Sequence, residues 1–127
     1  MKATGGKVLD LGCGKGGDLQ KWARAPVREY VGADIAALSV EQARQRWAGM
    51  RTPRFEAAFL AQDCYVVELD PRKAPTLREF DVVSMQFCMH YAFESEVKAR
   101  MMLHNVSRHL RSGGIFVGTV PNAEVLL

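Results

Sequence analysis

Cysteine is scarce in this sequence and badly placed for pairing. Cys13, Cys64 and Cys88 are odd in number, and none stands in C-x-x-C spacing. That speaks against a disulfide framework and against a structural zinc site, and makes a reducing compartment the default. Long apolar runs are missing as well. No stretch approaches the roughly 20 residues that a membrane-crossing helix needs, so no membrane partner is expected. Low-complexity tracts and internal repeats are absent too. The opening residues, Met1-Lys2-Ala3-Thr4-Gly5-Gly6, read as a linker and lack the pattern of a leader peptide. What remains, at 127 residues, is a chain of one-domain size, long enough for a real core.

Charge is present but unevenly spread. Residues 1–54 hold ten of the 17 Lys and Arg but five of the 14 acids. A basic half beside a nucleotide-type site suggests a phosphate-bearing partner; a merely solvated face explains the counts equally well.

The chain is organised around Lys7-Val8-Leu9-Asp10-Leu11-Gly12-Cys13-Gly14-Lys15-Gly16-Gly17-Asp18-Leu19. A short aliphatic run breaks into four glycines within six residues and then enters a helix. Strand, glycine turn and helix together make a nucleotide-type site, where amides at the helix start face a ligand lying on bare backbone. Gly12, Gly14 and Gly17 also fit the dinucleotide pattern G-x-G-x-x-G, a weak signal. Asp10 changes the balance. A carboxylate at the strand end repels a pyrophosphate but suits the ammonium of a methionine moiety. Asp10, Gly12, Gly14 and Gly16 resemble the first motif of S-adenosylmethionine-dependent methyltransferases.

Taken in order, Lys7–Leu11 reads as strand one, Asp18–Ala25 as a helix stopped by Pro26, and Tyr30–Ile35 as strand two. Ser39 with Gln42 looks like a capping box for a second helix whose apolar face is Val40, Ala43, Trp47 and Met50. Phe55–Ala61 is strand three, residues 64–79 are the least readable part, where Pro71 and Pro75 argue for a loop or a short helix, and Phe80–Phe87 is strand four. A long helix starts near Ser95. Its expected buried stripe is Ala99, Met102, Leu103, Val106 and Leu110, with His104 and His109 on its surface and Gly113-Gly114 as its C-cap. Ile115–Val120 is strand five. Alternating strands and helices predict an α/β fold, a parallel sheet covered on both faces, with a ligand at the carboxyl ends of strands one, two and four.

Three strand-end acids then gain meaning. Asp34, ending strand two, can accept both ribose hydroxyls. Ile35 beside it can pack on a purine face, and Asp63 after strand three can accept from an exocyclic amine. Strand four runs into Gln86-Phe87-Cys88-Met89-His90-Tyr91-Ala92-Phe93-Glu94, a loop rich in aromatics at the ligand end of the sheet.

The glycine stretch with Lys21-Trp22, the Asp34-Ile35-Ala36 turn, Gln86-Phe87 with His90-Tyr91, Phe93-Glu94-Ser95, and Gly113-Gly114 through Pro121-Asn122 together resemble the messenger-RNA cap guanine-N7 methyltransferases. The resemblance covers nearly the whole chain. Lys15 and the His90-Tyr91 pair are its most specific parts.

The resemblance implies a Rossmann-like class I methyltransferase fold, S-adenosylmethionine as cofactor, 5′-capped RNA as partner and a nuclear location. It implies that Asp10, Gly12, Asp34, Asp63, Gln86 and Tyr91 hold the cofactor. Asp18 would buttress the glycine loop, Lys15, Lys21 and Arg46 would contact the cap and its phosphates, and His90 would lie at the cap guanine. No catalytic side chain and no metal are implied, because nitrogen-7 carries a free lone pair and needs only placement in line with the methyl group. The family's domain is about twice this length, with seven strands against the five read here. The chain is therefore expected to be a part of that domain, shortened at both ends and prone to self-association through strand five. A class I methyltransferase with another acceptor, a non-catalytic cofactor-binding module and a nicotinamide dehydrogenase are the rival readings; the last leaves Asp10 and the His90 loop unexplained.

Overall fold

The computed structural model describes residues 6–25, 27–51, 55–69, 79–85 and 95–118. Gln86, His90 and Tyr91, the ends expected for strands four and five, and most of residues 64–79 fall outside them.

Five strands and three helices alternate: β1 (Gly6–Leu11), α1 (Leu19–Arg24), β2 (Val27–Asp34), α2 (Ala37–Ala48), β3 (Glu56–Ala61), β4 (Phe80–Met85), α3 (Glu96–His109) and β5 (Leu110–Gly118). The strands form one sheet in the order β3-β2-β1-β4-β5, with every pair parallel. Parallel neighbours need helical crossovers, which is why both sheet faces are apolar.

The period of two sorts β1 between two cores. Val8 packs with Leu19, Tyr30, Val40, Ala43, Phe55, Phe59 and Val82 under α1 and α2. Leu9 and Leu11 pack with Val31, Leu60, Val83, Met85, Met102 and Val106 under α3. No described helix is long and apolar enough to cross a membrane.

Three expectations are corrected. Helix α2 begins at Ala37, because Asp34 Oδ1 accepts from the Ala36 amide at 3.0 Å and turns the chain directly out of β2. Ser39 therefore lies inside the helix. Gly113-Gly114 do not cap α3, which ends at His109 and passes at once into β5. Leu110 pairs with Phe80 and Ile115 with Val82, so β5 carries extra residues against β4. Gly113, at φ +80°, and Gly114 absorb that excess; a Cβ on Gly114 would lie 2.6 Å from Leu110 Cδ1. Finally, the buried face of α3 is Met102, Asn105, Val106 and His109, while Leu103 is 53% exposed. His109 is thus a core residue: its Nδ1 lies 2.7 Å from the Asn105 carbonyl, and burial holds its pKa down. His104 is on the surface as expected, beside Glu68.

Candidate functional site

The site grows from the end of β1. The Gly12 and Cys13 amides both donate to the Ala33 carbonyl of β2, at 2.6 and 3.0 Å. The chain then winds through Gly12, Gly14 and Gly16, all at positive φ, into α1. Two of these glycines do different work. A Cβ on Gly16 would come within 2.7 Å of Leu19 Cδ1 and 3.2 Å of the Ala43 backbone, so Gly16 lets the loop pack on α2. A Cβ on Gly14 would meet nothing within 4 Å: that position faces open space, as a ligand cradle requires.

Asp34 holds the loop from the next strand. Its Oδ2 accepts from the Gly14 amide at 2.9 Å while Oδ1 accepts from Ala36. Each carboxylate oxygen retains a further acceptor site. At the end of β3, Asp63 Oδ1 accepts from the Tyr65 amide at 2.9 Å. Gly12, Asp34, Ile35, Gln62, Asp63 and Tyr65 line a cavity of about 140 Å³ at the carboxyl ends of β1, β2 and β3. Three of the expected cofactor residues thereby meet at one cavity.

Asp10 does not line it. The carboxylate is buried beneath the glycine loop on the α1/α2 side, where Oδ2 accepts from Tyr30 Oη at 2.7 Å. Burial pushes its pKa up to about 7; the Tyr30 hydrogen bond opposes that, and the carboxylates of Asp18 and Asp34 add to it. The Trp22 indole N–H pulls against the rise without completing a hydrogen bond.

The expected basic residues sit on the glycine loop, α1 and α2. Lys15 projects from the loop tip, and Lys21 Nζ lies 3.6 Å from Asp18 Oδ1. Arg46 reaches across from α2 to Gly16, its Nη1 donating to the carbonyl at 3.4 Å. Asp18 precedes α1 without a side-chain cap bond, and its carboxylate pairs with Lys21 one turn into the helix.

Sequence reasoning missed Asn105. Fully buried on α3, it donates from Nδ2 to the Cys64 and Val67 carbonyls at 2.8 and 2.9 Å. Its Oδ1 accepts from the Leu69 amide at 3.0 Å. Glu68 in the same turn pairs with His104 and Arg108. Helix α3 thus fastens the turn that carries Asp63 and Tyr65. The available signal was an amide three residues after Met102, in phase with the apolar face.

A parallel sheet with this order, a glycine loop after β1 and acids ending β2 and β3 define a class I S-adenosylmethionine-dependent methyltransferase fold. Phosphoethanolamine N-methyltransferase 1 of Haemonchus contortus, solved with phosphoethanolamine and S-adenosylhomocysteine, superposes at a TM-score of 0.71. It is 22% identical, with 92% of this chain and 22% of that one covered. The family model described as the mRNA (guanine-N(7))-methyltransferase domain matches residues 2–127, and the chain belongs to that family. The mRNA cap guanine-N(7) methyltransferase of Cryptococcus neoformans var. neoformans serotype D (strain JEC21) is 58% identical over 125 residues, covering 96% of this chain and 20% of the relative. That of Schizosaccharomyces pombe is 52% identical over 120 residues, covering 94% and 33%. The chain therefore spans about a fifth to a third of the length of these relatives.

Proposed function

We propose that the protein transfers a methyl group from S-adenosylmethionine to nitrogen-7 of the guanosine cap of messenger RNA, in the nucleus. The observation that carries the reading is the meeting of Gly12, Asp34 and Asp63 at one cavity in a chain of this family. The residues fit the cofactor. Gly14 leaves room for it, Asp34 has acceptor capacity for ribose hydroxyls, and Asp63 and Ile35 flank a space for a flat base. Asp10, buried under the loop and bonded to Tyr30, is proposed to hold the methionine ammonium. Gln86 and Tyr91 are proposed to complete the cofactor site and His90 to face the cap guanine.

The bound cofactor supplies an electrophilic methyl on a sulfonium. The chain's own task is placement. Nitrogen-7 already holds a free lone pair, so no general base is required, and rate comes from holding nucleophile, methyl and sulfur in line. Positive charge passes to the guanine ring, which favours a neutral or acidic surround there. Basic groups belong at the triphosphate bridge, where charge-assisted hydrogen bonds fix the substrate. Lys15, Lys21 and Arg46, on the glycine loop, α1 and α2, suit that role.

The test is calorimetry with S-adenosylhomocysteine together with methyl transfer to the cap dinucleotide GpppG by the full-length protein. Lys15→Ala is expected to raise KM for the cap and spare cofactor affinity. Loss of cofactor binding with an unchanged cap KM would reverse the assignment.

A further inference from the structure

Away from the cofactor cavity, the C-terminal ends of α1 and α2 enclose a crevice of about 620 Å³. It is lined by Gln20, Arg24, Gln45, Arg46, Met50 and Arg51, and no carboxylate among the described residues lines it. Elsewhere on the described surface four arginines are held in ion pairs, Arg44 with Glu41, Arg100 with Glu96, Arg108 with Glu68 and Arg111 with Asp81, while Arg28 on β2 stands outside these pairs. Arg24, Arg46 and Arg51 pair with no acid among the described residues. The negative ends of the two helices account for a cation at Arg24 or Arg46. They do not account for Arg51, which lies beyond the Gly49 C-cap of α2.

We propose that this crevice binds the phosphodiester backbone of single-stranded RNA leading away from the cap. The proposal rests on the cap reading for its substrate class, and the connection is physical: Arg46, which lines the crevice, is also hydrogen-bonded to Gly16 of the glycine loop. Guanidinium groups suit phosphate oxygens through paired N–H donors, and the amides of Gln20 and Gln45 can serve sugar and base edges. An acidic peptide meets the same charge; RNA is favoured because Arg46 joins the crevice to the glycine loop beside the proposed cap phosphates. Because the helix ends oppose an anion here, binding rests on side-chain charge and should be strongly salt-dependent.

The experiment uses the full-length protein and its Arg24→Gln/Arg51→Gln double variant, both substitutions being at exposed positions outside the methyl-transfer site. Affinity is read by fluorescence anisotropy for GpppG, for a capped single strand of roughly ten nucleotides, and for the same strand uncapped. The capped strand is expected to bind the parent more tightly than GpppG. The variant should lose about tenfold for both strands and nothing for GpppG. Its log–log salt slope should be shallower by about 1.4, the contribution of two single-strand phosphate contacts. Equal affinity of the parent for GpppG and capped strand, or an unaffected variant, overturns the proposal. So does a polyglutamate peptide of matched charge that displaces the uncapped strand as effectively as RNA does, which would assign the crevice to an acidic protein. If GpppG is neither bound nor methylated, the cap reading fails, while loss of uncapped-strand binding in the variant still supports the crevice.

Discussion

At the scale of single residues, the site turns on two carboxylates in different surroundings. Asp34 accepts two backbone N–H groups and remains partly open to solvent. Asp34→Asn keeps one acceptor oxygen and turns the other toward Gly14 or Ala36 as a donor. It is expected to weaken S-adenosylhomocysteine by roughly 1.5–3 kcal/mol, the scale of hydrogen bonds to a charged group. An unchanged calorimetric affinity would remove Asp34 from the site. Asp10 is buried, and burial raises its pKa from 3.8 to about 7. The folded chain holds that proton more tightly than the unfolded chain. Its contribution is therefore full below about 3.8 and is lost as pH rises through about 7. Asp10→Asn retains an acceptor for Tyr30 and removes the titration. Urea unfolding of both proteins from pH 4 to 8 should show the parent losing ground to the variant by a few kcal/mol, since each pK unit is worth about 1.4 kcal/mol. Parallel stability curves would show that Asp10 titrates normally. Both acids were legible in the sequence because each ends a hydrophobic run beside glycine or a turn. The burial of Asp10 was not, because it depends on Tyr30 lying across the neighbouring strand.

At the scale of elements, the strands were legible and the joints between them were not. Hydrophobic runs such as Val8-Leu9 and Val82-Val83 fix which residues pair in a parallel sheet buried on both faces. The glycines after α3 carry a helix-stop signal that chain-order reasoning cannot tell from a strand irregularity; the register of Leu110 against Phe80 decides it. Asn105 is the clearest miss. An amide on a helix reads as solvated until its partners, 36 to 41 residues earlier, are known. Asn105→Leu should remove the hydrogen bonds to the Cys64 and Val67 carbonyls and to the Leu69 amide. A buried donor left unsatisfied costs about 1–3 kcal/mol, and the buried Leu69 amide loses its Asn105 acceptor, so stability should fall on that scale. The diagnostic readout is cofactor binding. Because the loosened turn carries Asp63 and Tyr65, S-adenosylhomocysteine affinity should fall under conditions where circular dichroism shows a folded chain. Asn105→Gln, which keeps the amide, should restore part of it. A folded Leu variant with parental affinity would limit Asn105 to stability alone.

At the scale of the whole molecule, the sheet is unevenly covered. Helices α1 and α2 lie over β1, β2 and β3, and α3 covers the opposite face near β4 and β5. Ile115 and Val117 stand in register with Val82 and Ser84, on the α1/α2 side, and each is 40% exposed. No described helix reaches over them, and no described strand pairs with the outer edge of β5. Among the described residues the outer edge of Ile115–Gly118 has no strand partner, and no lysine or proline in that run obstructs another strand. The apolar pair beside it adds a hydrophobic reason for contact. The isolated 127-residue chain is therefore expected to self-associate through β5. Light scattering over a concentration series should show mass rising above that of a monomer, 14.1 kDa. Val117→Lys should suppress that rise, because a charge there meets its own copy across an edge-to-edge contact and must be desolvated beside Ile115. The substitution leaves the hydrogen bonds of β5 to β4 intact, so the fold should survive it. A parent chain that stays monomeric at high concentration, or a lysine variant that associates equally well, would show that this edge is not what brings copies together.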